Sequence, residues 1–350
     1  MEPKLSQNRS GAVDLTKVLA TCAVLLIHCS AAPLAALEPG SAHWLAAAFY
    51  GSVGRWAVPA FLLCSGALMN DPDRHLPLRK LFTRYVPRLL AALCVWTALY
   101  ECVRIYIKWG TASLPELLLA AAKNCLHGTT HYHLYYFFFI FALYLSLPLT
   151  RLLARAPETE LRYILFLWLF LSTVVPFLQY FWPFSQMTSF LHYYAMPETI
   201  ACLGLGLLGF WLRRHPPKSW LPPLLLFLTS FLVVFSGTLR RSTAAGTLDQ
   251  FYLDAFGPFP VWMAIGVFQL AQWLMAGRPI PDWVRFLSAG AFCVYLVHPF
   301  FQLLVNQYLI HFSVLSPVWA VPAQAALLLA LSLICYVILR RVPWAKKWII

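Results

Sequence analysis

The stretch AVDLTKVLATCAVLLIHCSAAP, residues 12–33, is an apolar run long enough to cross a membrane as an α-helix. Such a span needs about 20 mostly apolar residues. Similar runs recur along the 350-residue chain, which is 61% hydrophobic and 11% charged, with a mean hydropathy of +0.68. Because soluble domains are about 25% charged, this composition excludes a soluble enzyme, a disordered scaffold and a secreted disulfide module. The sequence predicts an all-α, polytopic membrane protein.

Ten such runs follow one another, and the connections between them are short. Pro and Gly punctuate their ends, as at Pro216–Pro217 and Pro222–Pro223, which is typical of helix boundaries. We therefore predict a single domain, residues 1–350, built as a bundle of about ten transmembrane helices. The predicted spans are 12–33, 48–69, 84–107, 132–150, 161–180, 195–212, 220–236, 256–275, 287–306 and 319–339. Between them, Leu114–Leu126 is predicted to lie along the interface as an amphipathic helix, and Ser236–Phe256 is predicted to be a long polar loop.

The chain has a formal net charge of +13. Most of its Lys and Arg residues fall on one side of the membrane if the N-terminus is placed in the cytoplasm, and few fall on the other side, among them Arg240 and Arg241. Since cytoplasmic loops are enriched in Lys and Arg, both termini are predicted to be cytoplasmic. These cations are spread over several segments rather than forming one footprint, so no nucleic-acid partner is predicted.

Three ionisable residues lie in the first predicted span, where burial of such groups is costly and marks functional candidates. Asp14 and Lys17 are one helical turn apart and can pair. Lys17 and His28 are eleven residues apart, so they share a helix face and lie about 16 Å apart along the axis. A neutral imidazole can take a proton from a hydroxyl and later return it, as acyl transfer requires. The alternative is that His28 only bonds a neighbouring helix.

Five segments of the chain, in order, carry motifs of a known family of membrane proteins. The first is a basic residue, ten further residues and a histidine, here Lys17 to His28. The other segments are GRWAVPAFLLCSGALM (54–69), RKLFTRYVPRLL (79–90), HLYYFFFIFALYLSLPL (133–149) and LSAGAFCVYLVHPF (287–300). Together they resemble the acyltransferase-3 family of integral membrane O-acyltransferases. The family usually has Arg where this chain has Lys17. Arg is a planar fork and Lys a point charge, so the chain departs from the family's pattern at this position.

The resemblance implies transfer of an acetyl group from cytosolic acetyl-CoA to a hydroxyl of an extracytoplasmic or lipid-linked saccharide. It implies a multi-pass protein of the bacterial inner membrane, with lipids, donor and acceptor as partners and no permanently bound cofactor. Within the family, the chain is most similar to enzymes that act on enterobacterial common antigen. His28 would be the general base or would transiently carry the acetyl group, and Lys17 and Asp14 would position the donor end of the site.

Basic residues recur every four positions at the start of the third span, at Lys80, Arg84 and Arg88, so they are predicted to share one helix face. Such a face can bind the phosphates of the donor. The alternative is an anchor on lipid headgroups.

Four further residues are candidates for substrate binding. Arg55, at the predicted outer edge of the second span, can bind an acceptor or a developing oxyanion, or can snorkel to the interface. His133 is a candidate acceptor-site residue, and Tyr295 and His298, one turn apart, can line the cavity or join an interhelical network.

No metal site is predicted. His127, His131 and His133 do not have the spacing of a one-face helical pair, and no acidic or Cys ligand accompanies them. The nine cysteines lie mostly inside apolar runs and form no Cys-x-x-Cys pair.

A transporter or flippase of a glycolipid or polyol is the alternative function, because it would also need polar residues inside the bundle. Transporters often contain inverted repeats and paired broken helices, and the sequence shows neither.

Overall fold

The computed structural model describes residues 10–74, 76–109, 113–127, 131–306 and 315–350, and within them the chain is helical with no strand. Nine of the described helices are long and apolar enough to cross a membrane. A tenth, Glu198–Arg214 (α6), has 17 residues, a length at the short limit for a span. The nine are Gly11–Ala36 (α1), Ala42–Met69 (α2), Leu78–Arg104 (α3), Tyr132–Leu153 (α4), Glu158–Leu178 (α5), Leu221–Ala245 (α7), Phe251–Met275 (α8), Asp282–Leu304 (α9) and Pro317–Leu339 (α10).

The predicted all-α polytopic bundle is confirmed, whereas the sidedness of its termini stays a prediction. We call the end at which α1 begins the basal end and the end at which α1 finishes the apical end. The helix Leu114–Leu126 is present with the predicted bounds, and its leucines are largely exposed. The predicted polar loop Ser236–Phe256 is wrong over its first half, because α7 continues as a regular helix to Ala245.

Helix α1 lies at the centre of the bundle, in contact with α2, α8, α9 and α10. Its N-terminus is capped by Ser10, whose side chain accepts a hydrogen bond from the backbone N–H of Val13. At the apical end, the Trp44 indole donates to the Leu34 carbonyl at 3.1 Å, which ties the start of α2 to the end of α1. The residues of α1 are therefore surrounded by protein on several sides.

Helix α2 is broken into Ala42–Val53 and Ala57–Met69, with a turn at residues 54–56. Pro59 accounts for the break because it has no N–H to donate to the carbonyl of Arg55, four residues earlier, and its ring crowds that carbonyl. Gly54 lies so close to α1 that a Cβ there would be 2.7 Å from the Ala23 carbonyl oxygen. The break therefore packs directly on α1.

Within the bounds of the described helices, α3 contains a π-turn at Leu81–Tyr85 and α5 contains one at Phe170–Val174. In each case the chain reaches a proline two residues later, at Pro87 and Pro176. Because proline cannot donate the next backbone bond, a wider turn accommodates the missing donor. The π-turn in α3 changes which side chains share a face, with consequences for the basic residues there.

Arginines at the basal end satisfy the last carbonyls of α2. Arg74 donates to the Leu68 carbonyl at 2.9 Å, Arg151 to Met69 at 3.2 Å, and Arg213 to Ala67 at 2.9 Å. The last carbonyls of a helix have no intrahelical partner and need such donors. These arginines, which the sequence marks as topology signals, therefore also hold three neighbouring segments against the C-terminal end of α2.

Candidate active site

A cavity of about 900 Å³ lies between α1, α2, α3, α4 and α9 and reaches the segment after α10. Lys17 and His28 both line it, in agreement with the face-sharing that their spacing predicts. Since eleven residues of helix rise about 16 Å, the cavity extends at least that far along the bundle axis. It therefore connects the basal end with the apical half of the bundle.

The imidazole of His28 lies in a cluster of rings in the apical half. The centroid of its ring is 5.0 Å from that of His298 and 5.2 Å from that of Tyr132. His298 is fully buried, and its Nδ1 is 2.9 Å from the Val294 carbonyl oxygen. A carbonyl only accepts, so Nδ1 carries the proton and Nε2 of His298 is unprotonated. His298 thus lies behind His28, and it is not among the residues that line the cavity.

His133 joins the same cluster from the start of α4. It is 1% exposed, and its Nδ1 lies 2.8 Å from Nδ1 of His131, so one ring donates to the other. The Tyr295 hydroxyl donates to the His133 carbonyl at 2.8 Å. Both His133 and Tyr295 line the cavity. Nε2 of His133 is buried and has no hydrogen-bond partner among the described residues, so this atom can serve a ligand.

Asp14 is buried beside the cavity and accepts a hydrogen bond from the Ser288 hydroxyl at 2.6 Å. Ser288 and Lys17 both line the cavity wall. The structure therefore links Asp14 on α1 to α9 across the helix interface. The sequence predicts only the pairing of Asp14 with Lys17 one turn away, because contacts between helices distant in the chain leave no local signal.

Arg55 is not at the outer edge of the second span, as the sequence analysis expects, but in the break at its middle. The prediction was wrong because the helix begins at Ala42, before the apolar run that defined the span. Arg55 is partly buried, lies close enough to His28 and Tyr135 to interact electrostatically, and is not among the cavity-lining residues. Its Nε is buried without a hydrogen-bond partner among the described residues, and it belongs to a side chain outside the cavity lining.

The three basic residues at the start of α3 do not all line the cavity. Arg88 does, whereas Lys80 and Arg84 are exposed and lie outside the lining. The prediction of one shared face assumed a regular helix, and the π-turn at Leu81–Tyr85 breaks that register.

Three other cations, which the sequence marks only as topology signals, line the basal mouth of the cavity: Arg340, Arg341 and Lys346. Their charge was visible in the sequence, but their position depends on how the chain folds after α10.

Ser65 also lines the cavity, and its hydroxyl donates to the Phe61 carbonyl at 2.8 Å. Gly66 next to it meets the backbone of Gly206 on α6. The pair therefore serves close helix packing, as expected for small residues in a span. Among the described residues, no group of three His, Cys, Asp or Glu side chains is placed to hold a metal ion.

A polytopic helical bundle that encloses a long cavity, with a basic mouth and a buried imidazole cluster, has the architecture of an integral membrane protein with an internal candidate site. The profile of the acyltransferase-3 family, described as an acyltransferase domain, matches residues 10–341. The chain belongs to this family and is a multi-pass membrane acyltransferase. Neither curated proteins nor solved structures gave a match.

Proposed function

We propose that this protein is an O-acetyltransferase of the bacterial inner membrane. It moves an acetyl group from cytosolic acetyl-CoA to a hydroxyl of an extracytoplasmic or lipid-linked saccharide. One observation carries the proposal: a single cavity has cations at its basal end and His28 in its apical half. A donor with an anionic end and an acceptor from the opposite side would meet at that imidazole.

The reaction needs one group that takes a proton and gives it back. In direct transfer, His28 accepts the proton of the acceptor hydroxyl while the hydroxyl oxygen forms a bond to the thioester carbonyl carbon. The carbon–sulfur bond then breaks, and the departing thiolate takes the proton from His28. Because the ring nitrogens of His28 form no hydrogen bond with the described residues, they are available for this exchange.

A covalent route balances equally well. One ring nitrogen of the neutral imidazole attacks the thioester carbonyl carbon and the carbon–sulfur bond breaks, while the proton on the other ring nitrogen passes to the departing thiolate. The acetyl group rests on His28 until the acceptor oxygen bonds to the carbonyl carbon, the carbon–nitrogen bond breaks, and the hydroxyl proton returns to the ring. Intact-protein mass spectrometry with acetyl-CoA and no acceptor separates the routes. An added acetyl group that is absent from His28→Ala supports the covalent route, and an unchanged mass supports direct transfer.

The remaining candidates divide between the two ends of the cavity. Lys17, with Asp14 and Ser288 beside it, lies between the basal mouth and His28 and would position the donor. His133 and Tyr295 line the apical end, where the unpaired Nε2 of His133 would bind an acceptor oxygen. Arg55 would act on His28 through its charge without touching the substrate. His298 would hold the His28 ring rather than touch the substrate. Lys80 and Arg84 would contact lipid headgroups, with donor phosphates left to Arg88.

The test is mass spectrometry of surface glycans from cells with and without the gene, beginning with enterobacterial common antigen because of the sequence resemblance. We expect glycans heavier by the mass of one acetyl group only when the gene is present. Purified protein should also be stabilised against heat by acetyl-CoA. Unchanged glycans, no stabilisation by acetyl-CoA and movement of an unmodified glycolipid across vesicles would contradict the proposal and favour a transporter.

A further inference from the structure

The chain after α10 folds back across the basal mouth of the cavity. A short helix, Pro343–Trp348, leads to Ile349 and Ile350, which are each 8% exposed and pack with Trp96 of α3. The Trp96 indole donates to the Ile349 carbonyl at 3.1 Å, and the Arg88 guanidinium donates to the main-chain oxygen of Ile350. The segment from Arg340 to Ile350 is therefore anchored to α3 at two points and has a fixed position.

This C-terminal segment supplies most of the charge at the mouth. Arg340, Arg341 and Lys346 line the cavity there together with Arg88, and all four are solvent-exposed. No Asp or Glu is among the cavity-lining residues that the structure describes. The described ion pairs involve none of the four cations. Four like charges facing one opening repel each other and favour an anion that carries several negative charges.

Phosphate groups match this site best, because Arg and Lys bind them through charge-assisted hydrogen bonds. Farther along the bundle axis the lining changes to apolar and aromatic side chains, among them Val24, Ile140 and Phe292. A ligand with phosphates at one end and a largely uncharged arm at the other fits both parts. An acyl-CoA has this construction, with its thioester at the far end of the arm.

We infer that Arg88, Arg340, Arg341 and Lys346 form a cradle for the nucleotide phosphates of the acyl-CoA donor. The C-terminal segment is thus part of the donor site, and it holds the donor so that the thioester points toward Lys17 and His28. This inference rests on the proposed function for the identity of the donor. Phospholipid headgroups share the phosphate chemistry and are the competing source of ligand.

Lys347 offers a matched control for Lys346. It is also exposed and is adjacent in sequence, but its Nζ lies over the Trp348 ring at 5.0 Å and it does not line the cavity. An anchor on lipid headgroups would use the two lysines alike, whereas a phosphate cradle at the mouth would use Lys346 alone. The two sources can therefore be separated within one short helix.

The experiment compares Lys346→Ala, Lys346→Arg and Lys347→Ala in nanodiscs of neutral lipid, by binding of CoA and of adenosine 3′,5′-bisphosphate. We expect Lys346→Ala to weaken binding of both ligands about 5- to 20-fold, Lys346→Arg to restore most of it, and Lys347→Ala to leave it unchanged. With acetyl-pantetheine, a donor that lacks phosphate, Lys346→Ala should transfer acetyl groups with an unchanged KM.

Equal effects of the two alanine variants would overturn the cradle, as would effects that appear only when anionic lipid is added. A loss with acetyl-pantetheine as large as that with acetyl-CoA would also overturn it. Binding is measured without turnover, so the two proposals can fail separately. If phosphate binding depends on Lys346 but no acetyl transfer occurs, the proposed enzymatic function is contradicted and the cradle is not. If acetyl transfer from acetyl-CoA is unchanged in Lys346→Ala, the cradle is contradicted and the enzymatic function is not.

Discussion

The His28 ring is held by its neighbours rather than by hydrogen bonds of its own. His298 and Tyr132 lie against it, and the Gln302 amide donates to the His28 main-chain carbonyl at 3.0 Å. Because Nδ1 of His298 faces the Val294 carbonyl oxygen, the orientation of that ring is fixed. The position of His28 therefore depends on a buried residue that does not line the cavity.

This dependence predicts that His298→Ala lowers kcat about 100-fold, the cost of a displacement of about 1 Å at a reacting group, while KM for the donor changes little. His298→Phe, which keeps a ring at the same place, should retain more activity than the alanine variant. Steady-state kinetics with acetyl-CoA measure the effects on kcat and on KM separately. A raised KM with unchanged kcat would show instead that His298 binds substrate.

Tyr295→Phe removes the hydroxyl that donates to the His133 carbonyl and leaves the aromatic packing in place. We expect a loss of about 1 kcal/mol of stability, typical of one hydrogen bond whose acceptor stays buried, together with a lower kcat. Thermal unfolding and kinetics of the purified variant check this. The control is Tyr180→Phe, an exposed tyrosine outside the cavity. Equal effects of both variants would argue against a specific role for Tyr295.

At the scale of elements, the break in α2 places Arg55 beside the imidazole cluster. Its geometry depends on Pro59, which removes a backbone donor, and on Gly54, which lets the turn touch α1. The second half of α2 in turn packs on α6 where Gly66 and Gly209 meet backbone atoms. Small residues thus set two helix contacts that larger side chains would separate.

Gly54→Ala would place a Cβ 2.7 Å from the Ala23 carbonyl oxygen and 2.8 Å from the Ile27 side chain. We expect a loss of about 1–3 kcal/mol, as for other overpacked sites, and reduced acetyl transfer as Arg55 moves. Ser52→Ala is the control, because its buried hydroxyl has no partner among the described residues and its loss should be close to neutral. A stable, fully active Gly54→Ala would show that the close contact is not needed.

Much of this architecture is visible in local sequence patterns. Apolar runs reveal the spans, the eleven-residue spacing of Lys17 and His28 places both on one face, and an apolar-rich stretch indicates the helix Leu114–Leu126. Local patterns do not predict the position of a side chain where a proline changes the backbone or where contacts between distant segments fix the fold. Pro87 widens a turn and separates Arg88 from Lys80 and Arg84. The fold of the segment after α10, which brings three cations to the mouth, depends on contacts with α3 that no local pattern records.

For the whole molecule, the basic residues have a double role. Arg74, Arg151 and Arg213 cap α2, and others line the cavity mouth, all at the basal end. This concentration of charge at one end is what the positive-inside rule describes, and it predicts that the basal end faces the cytoplasm.

The prediction can be tested with single cysteines at Thr243 and Lys347, both exposed and at opposite ends of the bundle. In intact cells, a membrane-impermeant maleimide should label Thr243→Cys and leave Lys347→Cys unlabelled until the membrane is permeabilised. The unsubstituted chain corrects for its own cysteines. Labelling of Lys347→Cys alone in intact cells would reverse the topology and with it the sides assigned to donor and acceptor.

The central claim is that His28 performs acetyl transfer at the meeting point of donor and acceptor. The most direct measurement is acetylation of the saccharide by purified protein in vesicles, with His28→Ala compared with His43→Ala, an exposed histidine outside the cavity. We predict a loss of at least about 100-fold for His28→Ala, the contribution typical of a general base, with normal thermal unfolding and with full activity in His43→Ala. Transfer by a folded His28→Ala at the rate of the unsubstituted protein would contradict the account.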